Sequence, residues 1–252
     1  MSSHTGQSAF AESLLAPVRH STSPWLTWYS LSGERVELSG RVFDNWVAKT
    51  ANLLSEEFDI EEGSVVGSDL QPHWKTFAIA LACWQLGAQW VCTDTGTGTT
   101  PALDLWVTAD PETERAAAAP ELMVVALPSL AMRFAGAIPA GALDFSAEVR
   151  SFADSYFPEA VAGDSPALTG GGATLDYARL FADSSPGGTA LLCAAMPCVS
   201  ALRSALAIWK AGDAVVLVEA GMDVGESLLA GERIGRRLDE QGQDPSTAAS
   251  SG

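Results

Sequence analysis

The sequence predicts an α/β fold made of two pseudo-symmetric subdomains, each with a mostly parallel sheet flanked by helices. Three observations carry this. Short apolar runs of strand length alternate with apolar runs of helical spacing, as strands joined by helical crossovers require. The two halves of the chain repeat one another at an offset of 125 residues. The 252 residues are 47% hydrophobic and 18% charged, which suffices for a buried core and lies outside the composition of disordered chains.

Polar, small-residue stretches at 1–10 and 240–252 read as disordered ends. Trp25 to Tyr29 and Arg35 to Leu38 flank a Ser-Gly turn and predict a β-hairpin. Ser39 suits the N-cap of a helix whose buried face is Phe43, Trp46, Val47, Thr50, Ala51, Leu54 and Phe58. The acidic run from Glu56 to Glu62 ends it as a solvated loop. A strand at 64–69 follows. Pro72 suits the first turn of a helix running to Leu86, with Gly87 at its C′ position. Strands at 89–92, 104–108 and 122–127, with a helix at 111–118, complete the first half.

A linker rich in Gly, Ala and Pro spans 128–142. Beyond it the pattern predicts a helix at 144–156, a glycine turn at Thr169-Gly-Gly-Gly172, a helix from Asp176, a strand at 189–193, a helix at 198–211, a strand at 214–219 and a last helix at 225–239. The expected domains are therefore 11–127 and 143–239.

The repeat aligns Pro72 with Pro197, Ala80-Leu-Ala82 with Ala205-Leu-Ala207, Trp84 with Trp209, Gly87 with Gly212 and Val91 with Val216. With a shorter spacer, Val36 to Ser39 aligns with Ala173 to Asp176. Two matched units imply a crevice between them, lined by the carboxyl ends of parallel strands, where α/β proteins bind ligands. Asp69, Gln71 and His73 follow one such strand end, and Met196 occupies the equivalent point of the repeat.

The net charge of −17 is spread over both halves and repels phosphate backbones and anionic lipid, so neither nucleic acid nor membrane is an expected partner. No apolar run reaches the length of a membrane span, and the first residues lack the pattern of a secretory signal, so a cytoplasmic location is expected. The four cysteines form no C-x-x-C pair, and the three histidines are His4, His20 and His73. Zinc chemistry and a Ser-His-Asp triad are thinly supplied, and no metal site is expected.

Residues 24–220 resemble the N-terminal part of adenylate-forming (AMP-binding) synthetases. The resemblance rests on Val36-Glu-Leu-Ser39, Ala51-Asn-Leu-Leu54, Gly63-Ser-Val-Val66, Ala80-Leu-Ala82, Leu86-Gly-Ala-Gln-Trp-Val91 and the later helix-Gly-strand step at 189–219. It also resembles a small actinobacterial family of uncharacterised proteins that look like truncated, acyl-CoA synthetase-like AMP-binding enzymes. The resemblance implies the two-subdomain fold and a phosphate loop of the form S-G-T-T-G-x-P-K. Here Thr95-Gly-Thr-Gly-Thr-Thr-Pro101 has the composition of that loop in the wrong place. The expected place holds Thr169, Gly170, Gly171 and Gly172, without a lysine and followed by Asp176. The family's adenine-binding, magnesium-binding and C-terminal catalytic segments have no counterpart.

The candidate ligand-binding residues are therefore Thr169 to Gly172 with Asp69, Gln71 and His73; no catalytic residue is assigned and no cofactor is expected, ATP and AMP being left open but disfavoured. The leading reading is a non-catalytic AMP-binding-enzyme-like protein that takes a small ligand or a protein partner in the crevice. The alternatives are a minimal ATP-dependent ligase forming acyl-adenylates, and a scaffold or self-associating protein, for which the arginines at 233, 236 and 237 lie on a candidate interface helix.

Overall fold

The computed structural model describes residues 7–93 and 101–239. The ends at 1–6 and 240–252 and the loop at 94–100, which takes in the Thr95 stretch, lie outside the described residues. Residues 7–10, expected in a loose end, instead form β1 (Gln7–Ser8) and enter α1 (Phe10–Leu15).

The hairpin is present as β2 (Pro24–Tyr29) and β3 (Arg35–Ser39). Ser39 accepts the Val42 N–H and starts α2 (Gly40–Phe58), which buries Phe43, Val47, Thr50, Ala51 and Leu54. After β4 (Val65–Ser68) comes α3 (Trp74–Gln85), every residue of which is buried. A helix apolar all round belongs between layers rather than on a surface. It begins two residues later than Pro72 led us to expect, because His73 takes the N-cap: its backbone is extended and its ring accepts the Lys75 N–H.

The chain continues through β5 (Gln89–Cys92), β6 (Leu105–Thr108), α4 (Glu114–Ala117) and β7 (Leu122–Val124). The helix expected at 111–118 shrinks to α4 because the Thr113 hydroxyl caps it at Ala116 N. Next come β8 (Leu143–Asp144) and α5 (Phe145–Glu148), extended by a 3-10 turn at Val149–Ser151. The helix expected to 156 stops there. Lys49 donates to the carbonyls of Arg150 and Phe152, and Asn52 to those of Ala153 and Ser155, so these groups are satisfied without helix.

The remainder comprises β9 (Val161–Ala162), β10 (Pro166–Gly170), β11 (Ala173–Asp176), α6 (Tyr177–Leu180), β12 (Ala190–Cys193), α7 (Cys198–Lys210), β13 (Val215–Val218), α8 (Glu226–Gly231) and β14 (Arg236–Arg237). The helix expected at 225–239 is cut short. Arg233 adopts a left-handed backbone, and the chain then joins the edge of the sheet beside β12. Gly235 is required there, since a Cβ would lie 2.7 Å from the Gly187 carbonyl oxygen.

Two main sheets result, ordered β11-β10-β5-β4-β6-β7-β8 and β14-β12-β13-β2-β3, with a small pair β1-β9. Among the pairings within the main sheets, only the two hairpins are antiparallel. The sheets do not divide the chain at 128–142. The hairpin β2-β3 of the first half pairs through β2 with β13, and the hairpin β10-β11 of the second half pairs through β10 with β5. Each half thus lends its hairpin to the other's sheet. The five strands β11-β10-β5-β4-β6 and β3-β2-β13-β12-β14 then follow one order.

The repeat read from the sequence is the centre of this symmetry. Both α3 and α7 end in the same motif: Gly87 and Gly212 have φ of +79° and +85°, and Ala88 N and Asp213 N reach back to Cys83 O and Ile208 O. Trp84 and Trp209 each donate their indole N–H to a backbone carbonyl of the borrowed hairpin, Ala167 at 2.8 Å and Trp25 at 3.1 Å. Between the sheets, α3 touches both β5 and β2, and α7 touches both β10 and β13. There Trp209 stacks on Trp25 at 4.4 Å and meets Phe43 and Phe77. On the far face of the second sheet, Val224, Leu228, Leu229 and Ile234 cover Leu191, Val216 and Val218.

Candidate functional site

Hairpin exchange brings strand ends from both sheets to one place. A cavity of about 320 Å³ opens there. Its walls come from the ends of β2, β12 and β13 (Trp28, Ala194, Glu219) and from the segments after β4 and β7 (Gln71, His73, Pro128). The turn joining β2 to β3 closes one side through Ser30, Ser32 and Glu34. The volume is at the lower end of small-molecule sites, which run from ~300 Å³ upward.

The turn is held by its own hydroxyls. Ser30 Oγ lies 2.7 Å from Ser32 Oγ and accepts the Glu34 N–H, while Gly33 supplies the positive φ. Two carboxylates flank it. Glu219 accepts the Leu31 N–H at 2.6 Å, and Glu34 accepts the Ser129 N–H at 3.2 and 3.3 Å.

His73 forms part of the wall and is only 4% exposed. Its ring packs edge-on against Trp28, centroids 4.6 Å apart. Nδ1 accepts from Lys75 N, which places the proton of the neutral ring on Nε2. Burial, aided by the nearby Lys75 charge, holds the imidazole pKa down at about 3, so the ring is neutral at pH 7. The Nε2–H has no partner among the described residues.

Lys75 is buried behind the wall. Its ammonium donates to the carbonyls of Ala126 and Pro128, and desolvation lowers its pKa to about 8. Among the described residues no Lys or Arg lines the cavity.

Of the residues singled out in the sequence, Gln71 and His73 lie in this wall. Asp69 does not; it turns toward β6, beside Thr108 and Asp110. Met196 is packed in the core at 2% exposure. Thr169 to Gly172 are also elsewhere. Thr169 and Gly170 belong to β10, and Gly171 and Gly172, with φ of +58° and +81°, make the two-residue turn to β11. Thr169 Oγ1 is engaged by Gln89 and Thr174, and a Cβ on Gly170 would lie 2.3 Å from Val199 Cγ2. Hairpin geometry and close packing account for these glycines. The helix after the hairpin, α6, has four residues.

Sequence reasoning missed Glu34, Glu219 and the serines of the turn. Glu219 could have been found by the rule that pointed to Gln71, since it directly follows a parallel strand. The turn residues could not, because their place depends on the hairpin joining the sheet of the other half.

Among the described residues no cluster of three or more His, Cys, Asp or Glu is placed to hold a metal ion, and no helix is long and apolar enough to cross a membrane.

No family model matches the chain. A Mycobacterium tuberculosis (strain H37Rv) protein, named only as a TIGR03089 family protein, is 36% identical over 149 residues, covering 58% of this chain and 60% of its own length. An acyl-CoA synthetase from Brucella canis superposes with a TM-score of 0.71 at 20% identity, covering 88% of this chain and 45% of the synthetase. An acetoacetyl-CoA synthetase from Streptomyces lividans gives a TM-score of 0.61 at 17% identity, covering 85% of this chain and 39% of its own. The chain thus spans well under two thirds of the curated relative and less than half of these synthetases, and it has the fold of their matching part.

Proposed function

We propose that this chain, which carries the fold of part of the acyl-CoA synthetases, is a non-catalytic variant that binds a small ligand in the cavity between its sheets, and that ATP is not that ligand. The observation that carries the reading is the lining: two carboxylates, a neutral histidine and no cation. Polyphosphate sites depend on cations and on clusters of free backbone N–H groups. The Lys75 ammonium donates to two carbonyls inside the fold. The glycine hairpin at 170–172 supplies neither a lysine nor an opening into the cavity. These residues do not fit a nucleoside triphosphate.

The competing reading, an ATP-dependent ligase forming acyl-adenylates, is favoured by the likeness in fold to acyl-CoA synthetases. ATP–pyrophosphate exchange with a broad panel of carboxylic acids separates the two. The proposal expects no exchange above a protein-free control; acid-dependent exchange would replace it with the ligase reading.

A further inference from the structure

We propose that the cavity selects a small organic cation, a protonated amine on an apolar body. This inference rests on the reading of the cavity as a ligand site and names the chemical class of its occupant.

The polar groups of the wall are divided by kind. Glu34 and Glu219 are each fixed by one backbone N–H, which leaves further acceptor positions on both carboxylates. Among the described residues no side-chain cation lines the cavity, and only the buried Lys75 charge reaches Glu34 through space. The arginine nearest in sequence, Arg35, is engaged with Glu37 and Glu232. The lining also includes the apolar side chains of Trp28, Pro72, Leu127 and Pro128.

The second observation is independent of the acids. Trp28 is buried, lies in the wall, and has an indole N–H without a partner among the described residues. An unmet buried donor costs stability unless something accepts from it. An occupant carrying an acceptor on its apolar end would meet this donor while its ammonium meets the carboxylates. The His73 ring is neutral and does not repel a cation.

Three probes share one ring and differ in charge: benzylamine, benzyl alcohol and benzoate. Each is titrated into the full chain at low ionic strength, with binding followed by ligand-observed NMR. Benzylamine should bind about tenfold more tightly than benzyl alcohol, as a charge-assisted hydrogen bond outweighs a neutral one, and benzoate should bind most weakly. Glu34→Gln and Glu219→Gln keep shape and should each shrink the amine's advantage over benzyl alcohol several-fold. Ala220→Trp, at the exposed mouth, should weaken all three probes. Benzyl alcohol binding as tightly as benzylamine would overturn the cation class and leave the ligand site standing. An amine advantage that survives in both glutamine variants would likewise overturn it. Failure of all three probes would overturn both this inference and the ligand-site reading.

Discussion

Histidine 73 holds two tasks that a substitution can separate. Its Nδ1 caps α3, and its neutral ring stays buried far below the pH at which a free imidazole would ionise. In the unfolded chain the ring takes a proton near the ordinary value of 6.5; in the fold it does so only near 3. Between these values the unfolded state binds more protons, so the contribution is complete above about pH 6.5 and is lost as pH falls, at up to about 1.4 kcal/mol per unit. His73→Asn keeps a good capping residue and removes the titration. Its denaturant midpoint should therefore fall less steeply than that of the wild type between pH 6.5 and 5; parallel curves would show that the ring is not buried neutral. The glycines of the hairpin divide in a similar way. Gly170→Ala must displace Val199 and should cost about 1–3 kcal/mol in chemical denaturation through overpacking. Gly172→Ala meets no neighbour, and its cost should be that of a left-handed backbone alone, about 1–2 kcal/mol.

At the scale of elements, the repeat was the most informative feature of the sequence. Gly87 and Gly212, Trp84 and Trp209 stand at corresponding points because each pair solves one local problem, the end of a buried helix and its tie to a borrowed strand. Trp84→Phe and Trp209→Phe each leave a carbonyl short of a donor and should cost about 1–3 kcal/mol apiece. Similar losses in thermal or denaturant unfolding would support the equivalence; a loss at one site alone would count against it. Short elements were less legible. The stretches at 144–156 and 225–239 have helical composition, yet Lys49 and Asn52 take the carbonyls of the first, and the sheet edge captures the second. Both outcomes depend on residues distant in sequence. The candidate site divides in the same manner: Gln71 and His73 follow a recognisable strand end, whereas Ser30, Ser32 and Glu34 reach the cavity only through a long-range pairing.

For the whole molecule, the exchanged hairpins join two halves that sequence alone drew as matched subdomains packed face to face. Residues 24–39 complete the sheet of β12 and β13, and residues 166–176 that of β4 and β5. One hydrophobic cluster runs through both sheets and the helices between them. Unfolding should therefore be a single transition, with far-UV circular dichroism and tryptophan fluorescence sharing one midpoint. Fragments cut within 128–142 should not fold alone; two separate transitions, or a stable fragment, would contradict the exchange. The same joining shapes the cavity, since it brings Glu34 on one hairpin and Glu219 after β13 to a wall completed by His73. The central claim is that this wall accepts a ligand other than a nucleoside triphosphate. Calorimetric titration of the full chain with magnesium-ATP tests it most directly. The account predicts no saturable binding at millimolar nucleotide, whereas a saturable isotherm with a Kd below about 0.1 mM, worth more than about 5 kcal/mol, would contradict it.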